Sequence, residues 1–98
     1  MKGSREPSRQ HQRERILVVA RPFIVDLQYW AAVDPRMALR ILKVVLDVAR
    51  DPREGIGKPE RLKHRKGDCS RRLSREHRIV YRYDEEHIEF VAARFHYE

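Results

Sequence analysis

A carboxylate, an imidazole and a few guanidinium groups suffice to cut an RNA chain without a metal, and this sequence carries all three. Such a cut needs a base to take the 2′-hydroxyl proton, an acid to protonate the departing 5′-oxygen, and fixed cations where charge builds on the phosphate. Glu60 is a carboxylate of the kind that serves as the base. His96 has a side chain whose ordinary pKa of about 6.5 lets it hold and release a proton near neutrality. Arg72 and Arg78 can grip phosphate oxygens through paired N–H groups, and Lys63 can act as a point charge. The products would be a 2′,3′-cyclic phosphate, or the 3′-phosphate from its hydrolysis, and a 5′-hydroxyl. Each residue also has a plain reading. Glu60 alone is an exposed loop residue, His96 a capping or surface histidine, and Arg71, Arg72, Arg75 and Arg78 a solvated charge run.

Other chemistries find less support. Cys69 is the only cysteine, which excludes an intramolecular disulfide and any multi-cysteine zinc site and suits a reducing cytoplasm. It reads as an inert small side chain. His11, His64, His77 and His87 lack metal-ligand spacing and read as surface residues, so neither metal nor cofactor is expected. GIGK (55–58) lacks the spacing of a phosphate loop and reads as a turn. A formal charge of +7 and a pI near 10.1 point to a polyanion. Nucleic acid is the first candidate, an acidic protein the second, and a membrane surface a weaker third, because no segment joins a cationic face to a large apolar one. The apolar run ILVVA meets Arg21 and Pro22 too soon to be a signal-peptide core or a membrane span.

The chain must position these residues with one core, since 98 residues are too few for two. Residues 1–14 are polar and basic and read as a flexible tail, leaving a single domain over 15–98. Ile16 to Ala20 reads as a buried strand. Phe23, Leu27 and Trp30 fall on one face of a first helix ending near Val33. Asp34 as N-cap with Pro35 at the first helical position starts a second helix. Its apolar stripe is Met37, Ile41, Val44, Val45 and Val48, and Asp51 and Pro52 stop it. Strands are expected at Cys69 to Arg75, Arg78 to Asp84 and His87 to Phe95, with a short one around Arg61 to His64. Of Tyr81 and Tyr83, one should be a core aromatic and the other half-exposed. The order describes an α+β domain: an N-terminal strand, then an antiparallel helical hairpin packed on one face of a mostly antiparallel four- to five-stranded sheet. The opposite face stays open and cationic.

Three blocks, GIGKPERLKH (55–64), SRRLSREHRIVYRY (70–83) and ARFHYE (93–98), occur in the order and near the spacing of the YoeB toxins. With Gln28-Tyr29-Trp30 and the hairpin, the chain resembles that family over about residues 16 to 97. The resemblance implies a RelE-like fold and cleavage of messenger RNA in the ribosomal A site, so that messenger RNA and the ribosome are partners. A YefM-like antitoxin is a further implied partner, and self-association as a homodimer is compatible with it. Carried over by position, Glu60 matches the general base, His96 the general acid, and Lys63, Arg72 and Arg78 the phosphate-handling cations. Tyr97 matches the aromatic residue beside the acid. The chain departs from the family in three places. Asp68 and Cys69 stand where aromatics are usual, the chain runs one residue further to Glu98, and the N-terminal tail has no counterpart.

Two physical consequences follow for such a site. Neighbouring cations lower the pKa of both carboxylic acid and imidazolium, so Glu60 should be a weak base and His96 a sparsely protonated acid until substrate phosphate arrives. Strand parity adds a constraint. A two-residue loop at Glu76-His77 would put Arg72 and Arg78 on opposite faces, so an odd-length loop or a bulge is needed there, and similarly between Asp84 and His87. Two other functions remain in play: a fold relative that poisons a protein, as ParE-like toxins inhibit gyrase, and an RNA-binding module without chemistry. The joint presence of Glu60, Arg78 and His96 argues against the first.

Overall fold

The computed structural model describes residues 14–95. Residues 1–13 of the expected tail, and His96, Tyr97 and Glu98, lie outside the described residues. Strand β1 (Ile16–Val19) leads into helices α1 (Arg21–Val33) and α2 (Pro35–Arg50). Strands β2 (Glu60–Arg61), β3 (Cys69–Arg72), β4 (Arg78–Tyr83) and β5 (His87–Ala92) follow. They form one five-stranded sheet in the order β1-β5-β4-β3-β2. All neighbours are antiparallel except β1 and β5, which run parallel because the helical hairpin carries the chain across.

The hairpin turns at a single residue. Asp34 accepts from the Met37 backbone N–H at 3.3 Å, the N-cap that its position before Pro35 predicts. Phe23 and Trp30 of α1 and Ile41, Val44 and Val48 of α2 are buried against Cys69, Ile79, Tyr81, Ile88 and Phe90 of the sheet. Tyr81 is the core aromatic and Tyr83 the half-buried one. Burial raises the Cys69 thiol above its ordinary value, in keeping with an inert side chain.

Two expectations need correction. The β1 strand is exposed at all four positions, with Ile16 61% accessible, because it sits at the sheet edge with a neighbour on one side only. The face away from the helices is also less open than its polarity suggests. Ser70 and Val80 at its centre are fully buried.

β3 stops at Arg72, short of the expected Arg75, because residues 73–77 form the turn, with the His77 carbonyl accepting from the Leu73 and Ser74 N–H groups. That loop has an odd length, and Arg72 pairs directly with Arg78. The turn after β4 is even: Tyr83 pairs with Ile88. A bulge then restores the parity, since Tyr81 pairs with Phe90 but Val80 with Ala92, leaving Val91 as the extra residue.

Candidate active site

Pairing registers decide which side chains share a face. Glu60 lies opposite Ser70, Ser70 opposite Val80, and Arg72 opposite Arg78. Because side chains alternate, Glu60, Ser70, Arg72 and Arg78 all emerge on the face turned away from the helices. Arg78 Nη1 donates to Glu60 Oε1 at 2.9 Å and to Ser70 Oγ at 2.8 Å. The Arg78 side chain is only 11% exposed while the Glu60 carboxylate is 46% exposed, so the pair presents its acidic half to solvent. Arg78 Nε is buried and meets no acceptor among the described residues.

The Glu60 carboxyl lies below the usual glutamate range. The hydrogen bond from Arg78 and its charge lower it most, burial opposes them weakly, and Arg72 and Lys58 add smaller contributions in the same direction. Lys63 is exposed in the loop just beyond β2. A cleft of about 300 Å³ flanks the same strand, with Arg53, Pro59, Glu60, Arg61 and Tyr83 among its lining residues. Among the described residues, no three of His, Cys, Asp and Glu gather closely enough to hold a metal ion.

What places Glu60 is a buried arginine that reads in the sequence as part of a solvated run. Arg71 alternates with Arg72, so it points to the helix side of β3 and is completely buried. Its five N–H groups are all used. Nη1 donates to Asp47 Oδ2 at 2.8 Å and to the Ile56 carbonyl at 2.9 Å, and Nη2 to the carbonyls of Asp51 at 2.7 Å and Glu54 at 3.1 Å. Nε donates to the Tyr81 hydroxyl at 3.2 Å, and that hydroxyl donates to the Pro52 carbonyl at 2.7 Å. One side chain thereby fixes the connection from α2 to β2. Gly57 completes it: its carbonyl accepts from the Arg72 N–H, its φ is +82°, and a Cβ there would stand 2.8 Å from the Arg72 carbonyl oxygen.

Residues 93–95, which precede His96 in sequence, are tied back to the helices and to the turn before Arg78. The Ala93 N–H donates to Asp26 Oδ2 at 2.8 Å, and Trp30 Nε1 donates to the Ala93 carbonyl at 2.9 Å. The Arg94 guanidinium lies over the Tyr29 ring, 3.6 Å from its centre. Phe95 N–H donates to His77 Nδ1 at 2.8 Å. His77, read above as a surface residue, is therefore half-buried between Trp30 and Phe95, and the only hint in the sequence is its place directly before Arg78. The Asp68 departure also acquires a role. Asp68 is 4% exposed and accepts from Arg65 Nε at 3.1 Å and Arg82 Nε at 3.0 Å, closing the loop that carries Lys63 with paired charge. Glu60, Arg72 and Arg78 thus share one face; Lys63 lies in the adjoining loop; His96 and Tyr97 lie outside the described residues.

Comparison with known proteins gives a consistent picture. Residues 20–97 match the family model of the YoeB-like toxin of bacterial type II toxin-antitoxin system. The chain is 42% identical over 73 residues to Toxin YoeB of Escherichia coli K12, covering 74% of this chain and 87% of that protein. A YoeB/ParE toxin from Agrobacterium tumefaciens superposes with a TM-score of 0.77 at 38% identity, covering 84% of this chain and 99% of the other. YoeB from Staphylococcus aureus has been solved as a dimer (TM-score 0.77, 33% identity) and in complex with YefM (TM-score 0.73, 32% identity). Each covers 87% of this chain and 100% of the other.

Proposed function

We infer that this chain, which belongs to the YoeB-like toxins of bacterial type II toxin-antitoxin systems, acts as an endoribonuclease on messenger RNA without a metal. The observation that carries this is the Glu60 carboxylate held at 2.9 Å on the Arg78 guanidinium, on the face that also bears Arg72. Glu60 takes the 2′-hydroxyl proton, His96 protonates the leaving 5′-oxygen, and Arg72, Arg78 and Lys63 bind the phosphate as charge grows on it. Tyr97 lies beside the acid in sequence and completes the substrate contacts. The ribosomal A site supplies the messenger, and the compartment is the cytoplasm. A YefM-like antitoxin is the regulatory partner and a homodimer the assembled form, by analogy with the Staphylococcus aureus relative.

The resting ion pair suggests how substrate activates the base. With Arg78 engaged, Glu60 is a poor proton acceptor. A phosphodiester anion arriving at Arg78 competes for its N–H groups and offsets its charge, and the Glu60 carboxyl then rises towards its ordinary value. The acidic limb of kcat should accordingly lie at higher pH than that of kcat/KM, since the first reports the bound enzyme and the second the free one.

The test is expression of the full chain beside His96→Gln, with growth, RNA cleavage and product ends read together. Cleavage should leave a 2′,3′-cyclic phosphate or 3′-phosphate and a 5′-hydroxyl, and fall about a hundredfold or more in the variant while the fold persists. Products ending in a 3′-hydroxyl and 5′-phosphate would overturn the mechanism. Undiminished growth arrest by His96→Gln would point instead to a poisoned protein target.

A further inference from the structure

We propose that His77 is a positioning residue for the acid step: through Nδ1 it holds the backbone N–H of Phe95, and so sets where the next residue, His96, delivers its proton. The inference rests on the reading of His96 as the general acid. Three observations carry it. The Phe95 N–H to His77 Nδ1 distance is 2.8 Å, and the ring is set by an edge contact with Trp30, 4.8 Å between centres at 79°, and by Phe95 at 5.6 Å. His77 also lends its carbonyl to Leu73 and Ser74, so the residue is fixed at both backbone and side chain within the loop that ends at Arg78.

Phe95, moreover, has φ of +65°, in the left-handed region that bulky residues avoid. A non-glycine residue stays there only when its surroundings over-determine it. Here the Arg94 guanidinium lies against both the Tyr29 and Phe95 rings while His77 receives the Phe95 amide. The consequence is a direct mechanical link. Arg78 follows His77 by one bond of the chain, and His96 follows Phe95 by one. A single hydrogen bond therefore ties the residue next to the phosphate-binding arginine to the residue next to the acid. Nδ1 is the accepting atom of that contact.

The experiment compares His77→Leu, which keeps an apolar side chain beside Trp30 but has no acceptor, with His77→Asn, whose Oδ1 reaches the place of Nδ1. Single-turnover cleavage and steady-state constants are measured with the full chains on the same RNA substrate, alone and in the His96→Gln background. His77→Leu should lower kcat about tenfold to a hundredfold with KM within about twofold, as expected for a misplaced catalytic group. His77→Asn should recover most of the rate. In the His96→Gln background, His77→Leu should add no further loss, because the two act through one step. The Phe95 amide should exchange with solvent faster in His77→Leu than in His77→Asn, which shows the released contact even where both proteins remain folded. Wild-type kcat in His77→Leu overturns the proposal, and so do equal losses in the Leu and Asn variants, or a full additional loss on top of His96→Gln. Unchanged cleavage by His96→Gln alone overturns instead the reading on which the proposal rests.

Discussion

The stretches of chain that precede Glu60 and His96 in sequence are held in opposite ways. The connection to Glu60 hangs on one buried side chain: Arg71 spends all five N–H groups on Asp47, Tyr81 and three backbone carbonyls between residues 51 and 56. Residues 93–95, which precede His96 in sequence, are held by four separate residues, Asp26, Trp30, Tyr29 and His77, each contributing one contact from α1 or from the β3–β4 turn. A concentrated anchor makes the position of Glu60 cooperative, so it is lost as a unit. A distributed one lets residues 93–95 loosen by degrees. Under the proposed mechanism the first anchor serves the base, and the second bears on the residues that precede the acid in sequence.

The largest effect that would sharpen this contrast comes from Arg71→Met. It strands the Asp47 carboxylate and leaves several loop carbonyls without donors, at a cost of about 3 kcal/mol. Denaturant unfolding should show that loss, and hydrogen exchange should show residues 51–57 opening together. A uniform loss below about 1 kcal/mol would break the idea of a single anchor. On the distributed side, Asp26→Ala removes one acceptor from Ala93, and the expected cost is about 1 kcal/mol, with increased exchange confined to residues near 93. A collapse of the whole C-terminal segment in that variant would mean that its contacts act as a unit after all.

The smallest effect is a dependence on pH. Burial pushes the Asp47 carboxyl up, but hydrogen bonds from Arg71, the Ile56 N–H and Arg50, with the Arg50 charge, outweigh it and hold it below its ordinary value. A carboxyl lowered in the folded state contributes stability that is present above its unfolded value of about 3.8 and lost as pH falls through the lowered one. Acid titration of stability should therefore show a step below the ordinary aspartate range that Asp47→Asn removes. The same titration of Asp26→Ala should keep it.

Much of the frame was legible because it depends on local signals. Asp34-Pro35 announces the α1–α2 boundary, and the i, i+4, i+7 spacing of Ile41, Val45 and Val48 finds the core side of α2. Strand parity anticipated an odd loop between Arg72 and Arg78, as the structure has it. What escaped the sequence depends on distant partners. Arg71 and Arg72 are chemically alike, and only the burial of one strand face by the helices separates a buried anchor from a residue of the opposite face. His77 meets a backbone amide eighteen positions away, across a bend at Phe95 that no composition rule signals. The four apolar residues of β1 look like a core strand, and their exposure follows only from the sheet order.

The most direct test of the proposed mechanism is a crystal structure of the full chain bound to an RNA whose scissile nucleotide lacks its 2′-hydroxyl and so cannot be cut. The Glu60 carboxylate should stand beside the bare 2′ carbon and the His96 imidazole on the far side of the same phosphate, against the 5′-oxygen, with Arg72 and Arg78 on the non-bridging oxygens. A phosphodiester seated elsewhere, or Glu60 and His96 divided by packed core, would contradict it.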